Sequence, residues 1–203
     1  ITTAGGDDTV TVAGVSALGT GGSIDAGEGT DTLKFSTYAN AVTASASATF
    51  EGTVSGFERL ELSGVNAAAA AAINLANLDD INYVTLSATN TETTTISGMT
   101  SGGTIVFKAD QTAGKDATVA ITNANTGTAD VLNVGLSKAT ALAAVELIAA
   151  DVETVNVTST ETATTLLGTV THALELNATA AKSLNVSGNA GVTFGTLTGA
   201  TAL

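Results

Sequence analysis

Along most of the chain an apolar residue is followed, after two spacers, by two apolar residues that bracket a polar one. The pattern appears as Phe57-x-x-Leu60-x-Leu62, Ile81-x-x-Val84-x-Leu86, Val152-x-x-Val155-x-Val157 and Ala181-x-x-Leu184-x-Val186. Shorter relatives are Leu132-x-Val134 and Leu174-x-Leu176. Alternation with period two predicts strands with one buried face, and the apolar residue three positions earlier predicts the entering corner. Turn formers follow, as in Ser63-Gly64 and Ser187-Gly188-Asn189, where Gly and Asn tolerate positive φ. The expected inward positions are Val10, Leu33, Leu60, Leu62, Val84, Leu86, Leu132, Val134, Val155, Val157, Leu184 and Val186.

The spacing of these units separates the candidate architectures. It is shortest from Leu174 to Leu184 and more than doubles from Leu60 to Val84. A leucine-rich repeat would hold a stricter period, and a regular nonapeptide roll would repeat its glycines and aspartates throughout. The uneven gaps fit an all-β fold, a right-handed parallel β-helix (a β-solenoid) with loops of variable length at its corners. Two segments have helical character: Val65 to Ala76, with six consecutive alanines, and Ser137 to Ile148. A short helical turn is expected in the first and strand over most of the second.

Composition narrows the chemistry. Of 203 residues 44% are hydrophobic but only 3% aromatic, which suits a narrow interior stacked in layers. The β-branched content argues against disorder. There is no Cys, so neither disulfides nor thiolate metal sites arise. The net charge is −13, from 19 acidic and 6 basic residues with Arg59 the single arginine. That balance excludes nucleic acid as a partner and disfavours anionic lipid. No apolar run approaches a membrane span, and membrane insertion is not expected. The chain begins at Ile1 without a basic or apolar leader pattern and reads as an internal piece of a longer protein.

One short segment points to a ligand. Residues 26–34, Ala-Gly-Glu-Gly-Thr-Asp-Thr-Leu-Lys, nearly match G-G-x-G-x-D-x-U-x, in which a calcium-holding turn leads into a short strand. A weaker copy runs from Thr3 to Val10. Calcium takes oxygen ligands from carboxylates and backbone carbonyls. The candidate set is therefore Gly6, Asp7, Asp8, Asp25, Gly27, Glu28, Gly29 and Asp31. The interval from Asp8 to Asp31 suits one circuit of a β-helix, so these two are expected to stack. The metal-free alternative is an aspartate that caps its own turn. Asp79, Asp80, Asp110, Asp116 and Asp130 lack motif spacing and are expected to be solvated loop carboxylates.

Gly6, Asp8 and Val10, then Gly27, Gly29, Asp31 and Leu33, match the fixed positions of the RTX nonapeptide. Stretches such as Phe57–Gly64, Val152–Val157 and Lys182–Gly188 resemble Gram-negative surface-layer proteins exported by type I secretion. The resemblance implies a secreted, calcium-bound β-solenoid that assembles as a homo-oligomeric lattice on the cell surface. Contact with cell-surface polysaccharide would then fall to a part outside this chain. Ala26 replaces the first Gly of the better copy, and Thr3 and Ala4 replace both in the weaker one. One or two ions are expected rather than a full row. The domain reading is a calcium-turn segment over 1–35, continuous with an irregular solenoid over 36–203.

Other functions are poorly supplied. A polysaccharide-degrading β-helix needs a basic group or a paired acid and base. Arg59 beside Glu58 and Glu61 reads instead as a solvent-facing salt link, and His172 as a lone surface histidine. Tyr38 and Tyr83 are the only tyrosines for a sugar platform. Thr-x-Thr rows such as Thr9-Val10-Thr11 do not recur at the fixed period an ice-binding face requires. No enzyme is expected, and an RTX-type adhesin segment is the alternative to a lattice tile.

Overall fold

The computed structural model describes residues 1–14, 21–64, 71–79, 81–165 and 168–199. The fold is all-β, built mainly from parallel sheets. In chain order the strands are β1 (Thr9–Val12), β2 (Ile24–Asp25), β3 (Thr32–Phe35), β4 (Val54–Ser55), β5 (Arg59–Leu62) and β6 (Ile73–Asn74). They continue as β7 (Tyr83–Leu86), β8 (Thr94–Met99), β9 (Gly103–Phe107), β10 (Ala117–Ile121) and β11 (Val131–Lys138). The last are β12 (Val145–Ile148), β13 (Thr154–Glu161), β14 (Thr171–Ala178), β15 (Ser183–Gly188) and β16 (Gly191–Gly199). Odd-numbered strands form an eight-stranded sheet in the order β1-β3-β5-β7-β9-β11-β13-β15. Even-numbered strands from β6 to β16 form a six-stranded sheet, and β2 pairs with β4. From β5 onward the chain alternates between the two large sheets, and each return adds one strand at the growing edge.

The alternating pattern becomes two inward columns because every strand of the larger sheet pairs in register. One runs Val10, Leu33, Leu60, Val84, Ile105, Val134, Val157, Val186. Its neighbour runs Val12, Phe35, Leu62, Leu86, Phe107, Leu136, Ser159 and Gly188. The middle members of both columns are buried, each aliphatic side chain contributing about 1.5–3 kcal/mol. Val10 and Leu184 are only partly covered, and Val186 is 50% exposed rather than inward-buried. Val186 lies on β15, the edge strand, so no following strand covers it.

Opposite this sheet the inward positions include small or polar groups, such as Thr94 and Ala117, both fully buried. The eight-stranded sheet runs unbroken across residue 35, where β3 pairs with β5. A helix, α1 (Tyr38–Ser45), follows β3. Thr37 caps it by accepting the Asn40 N–H at 3.3 Å, and Tyr38, Ala41 and Ala44 face the core. The expected helical turn near residues 65–76 falls partly outside the described residues. Within them, Ile73–Asn74 is strand and Leu75–Asn77 is a 3₁₀ turn. In the second segment, strand ends at Lys138 and resumes only at Val145.

Candidate metal site and the corner carboxylates

A corner precedes each strand of the larger sheet, and backbone N–H groups there lie outside the strand ladder. Leaving such a group buried and unpaired costs about 1–3 kcal/mol. In this chain acidic side chains 22 to 27 residues further along take several of them. Asp31 Oδ1 accepts the Asp8 N–H at 2.7 Å, and Glu58 Oε2 accepts the Asp31 N–H at 2.7 Å. Asp79 Oδ2 accepts from Phe57 N–H at 2.7 Å, and Glu153 Oε2 from Asp130 N–H at 2.8 Å. Asp79 is thus a corner cap rather than a solvated loop carboxylate, and Asp80 lies outside the described residues. Asp8, Asp31 and Glu58 stack because Thr9, Thr32 and Arg59 are in register. Three of these acceptors, Asp31, Glu58 and Glu153, stand directly before an alternating strand, and Asp8 and Asp130, whose N–H groups are capped, hold the same position.

The glycine turns are closely packed. Gly6, Gly27 and Gly29 have φ of 119°, 88° and 148°. A Cβ on Gly29 would lie 2.3 Å from the Gly6 carbonyl oxygen, and one on Gly27 would lie 2.9 Å from that of Ala4. Only glycine fits there. The Glu28 carbonyl accepts from Gly6 N–H at 2.7 Å. Asp25 Oδ1 accepts from Gly27 N–H at 3.2 Å, and Asp7 Oδ1 from Thr30 N–H at 3.0 Å. Asp7, Asp25 and Glu28 are exposed, and Asp8 is half-buried. Asp25 thus caps its own turn, whereas Asp7 reaches a turn 23 residues further along the chain.

Asp31 differs from them. Its side chain is fully buried, and Oδ2 has no hydrogen-bond partner. A buried carboxylate oxygen without a donor needs a cation, a proton or water to offset its desolvation. Among the described residues no group of three or more His, Asp or Glu side chains is arranged to hold a metal. An ion here would therefore rest on Asp31 Oδ2 and on backbone carbonyls of the glycine turns, a donor set that calcium accepts.

The remaining titratable groups have local partners that correct several expectations. Arg59 makes no salt link with Glu58 or Glu61. Its guanidinium carbon lies 4.8 Å from the Tyr83 ring centroid, and Glu61 pairs instead with Lys34 at 2.7 Å. Register explains this, because Arg59 stacks on Tyr83 and Lys34 on Glu61. Burial pushes the Glu61 carboxyl up, but hydrogen bonds from Lys34 and Ser87 outweigh it and hold the group below its ordinary range. Asp110 is also held low, chiefly by Lys138 and against its burial, with the Ala143 N–H adding to the effect. His172 is fully buried rather than superficial. Its Nδ1 accepts from Leu142 N–H at 2.9 Å and its Nε2 lies 3.1 Å from the Thr160 carbonyl.

One acidic stack lacks such balance. Asp116 borders β10, while Glu146 and Glu175 are register partners on β12 and β14. Burial, then the Glu146 hydrogen bond and the negative charges of Glu146 and Glu175, raise the Asp116 carboxyl. A raised folded-state value means that ionisation opposes folding. The penalty is absent below the ordinary aspartate range and grows as pH rises through the raised value. Asp116→Asn should therefore raise the melting temperature at pH 7 by about 2 °C, and the gain should vanish near pH 3. Equal gains at both pH values would show that charge is not the cause.

No protein-family model matches the chain, and no curated protein is similar enough to count as a relative.

Proposed function

We propose that the chain is a right-handed parallel β-helix acting as a structural element of an extracellular bacterial coat. It resembles RTX-type surface-layer proteins, and its copies associate laterally into a calcium-stabilised lattice. The carrying observation is the state of the sheet edges. Strands β1 and β15 bound one sheet and β16 one side of the other, whose far edge at β6 packs against α1. The exposed large hydrophobics among the described residues are Ile1, Val186 and Leu197. Val186 and Leu197 lie on the edge strands β15 and β16, while Ile1 sits beside β2 through its hydrogen bonds to Ser23 and Asp25. Unpaired edges with apolar side chains are templates for association, which most soluble domains blunt with charge or a cover. The spread of local pairings among acidic residues also supports a scaffold over a catalyst.

Calcium fits this reading through Asp31. Bound there, an ion would supply the counter-charge that Oδ2 lacks and hold the turns around Gly6, Gly27 and Gly29 together. Chelation is expected to loosen the first 35 residues and weaken self-association, leaving later strands folded. Thermal melting, sedimentation and negative-stain imaging with and without chelator test this. Periodic arrays that disperse on chelation are the expected result, whereas isolated fibres would favour the adhesin. Identical melting and particle size in both conditions would remove the calcium-stabilised lattice.

A further inference from the structure

The outer face of the larger sheet carries a groove that the coat reading does not use. Its outward positions stack in columns, one of which runs Glu61, Thr85, Val106, Gly135 and Thr158. At Gly135 the column loses its side chain. Val106 leans into that space, only 5% exposed, and its methyl carbon would lie 3.0 Å from a Cβ on Gly135. The result is an open hollow of about 490 Å³ across β7, β9, β11 and β13. That volume falls within the usual range of ligand sites. Four adjacent strands span about 14 Å, and the lining from Thr104 to Lys108 runs about 13 Å along the strand, so the hollow is a broad patch with room for a short ligand.

Its chemistry is mixed. Val106 and the Gly135 backbone form an apolar floor. Tyr83 borders it, with Arg59 stacked on the ring. Among the described residues the hydroxyls of Tyr83, Thr104, Ser137 and Thr160 make no internal hydrogen bond. None of the ten lining residues is acidic, although the chain has 19 acidic residues. Lys108 is the charged member. Lys34, Lys115 and Lys138 each have a carboxylate partner, while Lys108 has no ion pair among the described residues. Glu61, whose charge Lys108 feels, is already bonded to Lys34. The lining itself therefore carries one positive charge and no negative one.

We propose that this groove binds a short stretch of a carboxylate-bearing oligosaccharide. The apolar floor and Tyr83 would meet the C–H faces of sugar rings, and the free hydroxyls would meet ring hydroxyls. Lys108 would meet the carboxylate. A peptide is less well served, because its usual route onto a sheet is edge pairing, and this groove lies on a sheet face.

Calorimetric titration of the full chain with hexagalacturonate, in chelator so that calcium bridging is absent, tests the assignment. Maltohexaose is the neutral reference. Hexagalacturonate should bind with millimolar or tighter affinity, maltohexaose at least tenfold more weakly. Lys108→Gln should weaken the acidic ligand about tenfold, and Lys182→Gln should leave it unchanged. Tyr83→Ala should weaken both sugars. Lys108 is exposed, so its variant keeps the test decisive even if Tyr83→Ala misfolds. No binding at millimolar ligand, equal binding of both sugars, or indifference to Lys108→Gln would each overturn the proposal. Loss of lattice formation alone would leave it standing.

Discussion

Replacing His172 with alanine is expected to destabilise the fold by about 3 kcal/mol, lowering the melting temperature by roughly 10 °C for a chain of this size. The imidazole lies at the inward end of β14 and bridges two parts of the chain. Its Nδ1 accepts from Leu142 N–H, so the ring proton sits on Nε2 and is donated to the Thr160 carbonyl. Alanine would leave both backbone groups without partners and open a cavity beside Leu142, itself 1% exposed. His172→Asn retains an acceptor and should recover part of the loss. Thermal unfolding followed by circular dichroism measures all three proteins. A melting temperature unchanged in His172→Ala would mean that neither hydrogen bond contributes to stability.

For Asp31→Asn the expected sign depends on calcium. Asparagine keeps an oxygen for the Asp8 N–H and removes the buried charge at Oδ2. In chelator the variant should be the more stable protein, by about 1–2 kcal/mol, since an unpaired buried carboxylate opposes folding. In calcium the order should reverse. Wild type gains about 2.7 kcal/mol when the ion stands at ~100 times its dissociation constant, and the variant gains little. Melting curves of both proteins in both conditions show whether they exchange rank. If Asp31→Asn is the more stable protein in both, Asp31 is a structural cap and the ion assignment fails.

Much of the larger sheet is readable in the sequence because its strands obey period two on one face. Leu60-x-Leu62, Val84-x-Leu86 and Val155-x-Val157 all bury both partners. Neighbour order is harder to read, since successive units are unevenly spaced and register is fixed only by packing. The second sheet is fainter because Thr94 and Ala117 hold inward positions where a hydrophobic pattern expects larger side chains. Helix α1 escapes the pattern because Val42 and Thr43 are weak helix formers. Its signal is Thr37 three residues before Asn40, with Tyr38, Ala41 and Ala44 on one face.

The candidate site is legible as a motif but not in its surroundings. The stacking of Asp8 on Asp31 follows from their spacing and takes the form of a direct hydrogen bond. The capping roles of Glu58, Asp79 and Glu153 do not follow from the calcium motif, because each lies outside it and serves a backbone group 22 to 27 residues earlier in the chain. His172 shares the parity of Leu174 and Leu176, which already places it inside. Its polarity argues for the surface only while its two backbone partners are unknown. Arg59 and Glu61 sit two apart on one face, yet cross-strand neighbours win over them because register brings Tyr83 and Lys34 closer.

The asparagine row on the outer face gives the fold a direction. Asn185 donates to Asn156 at 2.9 Å, Asn156 to Asn133 at 2.9 Å, and Asn133 to the Gly102 carbonyl at 2.8 Å. Every amide points its N–H toward the earlier strand, so the row finishes at β15 with the Asn185 oxygen facing outward. At the other edge the same column begins with Thr9, a hydroxyl that can donate. The two edges are thus unlike, an amide oxygen at one and a hydroxyl at the other. A two-fold axis normal to the sheet would set β15 antiparallel to its own copy and oppose acceptor to acceptor. A joint that continues the parallel register, with both faces of the sheet preserved, must instead place β15 of one molecule against β1 of the next. Such a head-to-tail joint does not close on a pair, and repeating it yields a ring or an open filament.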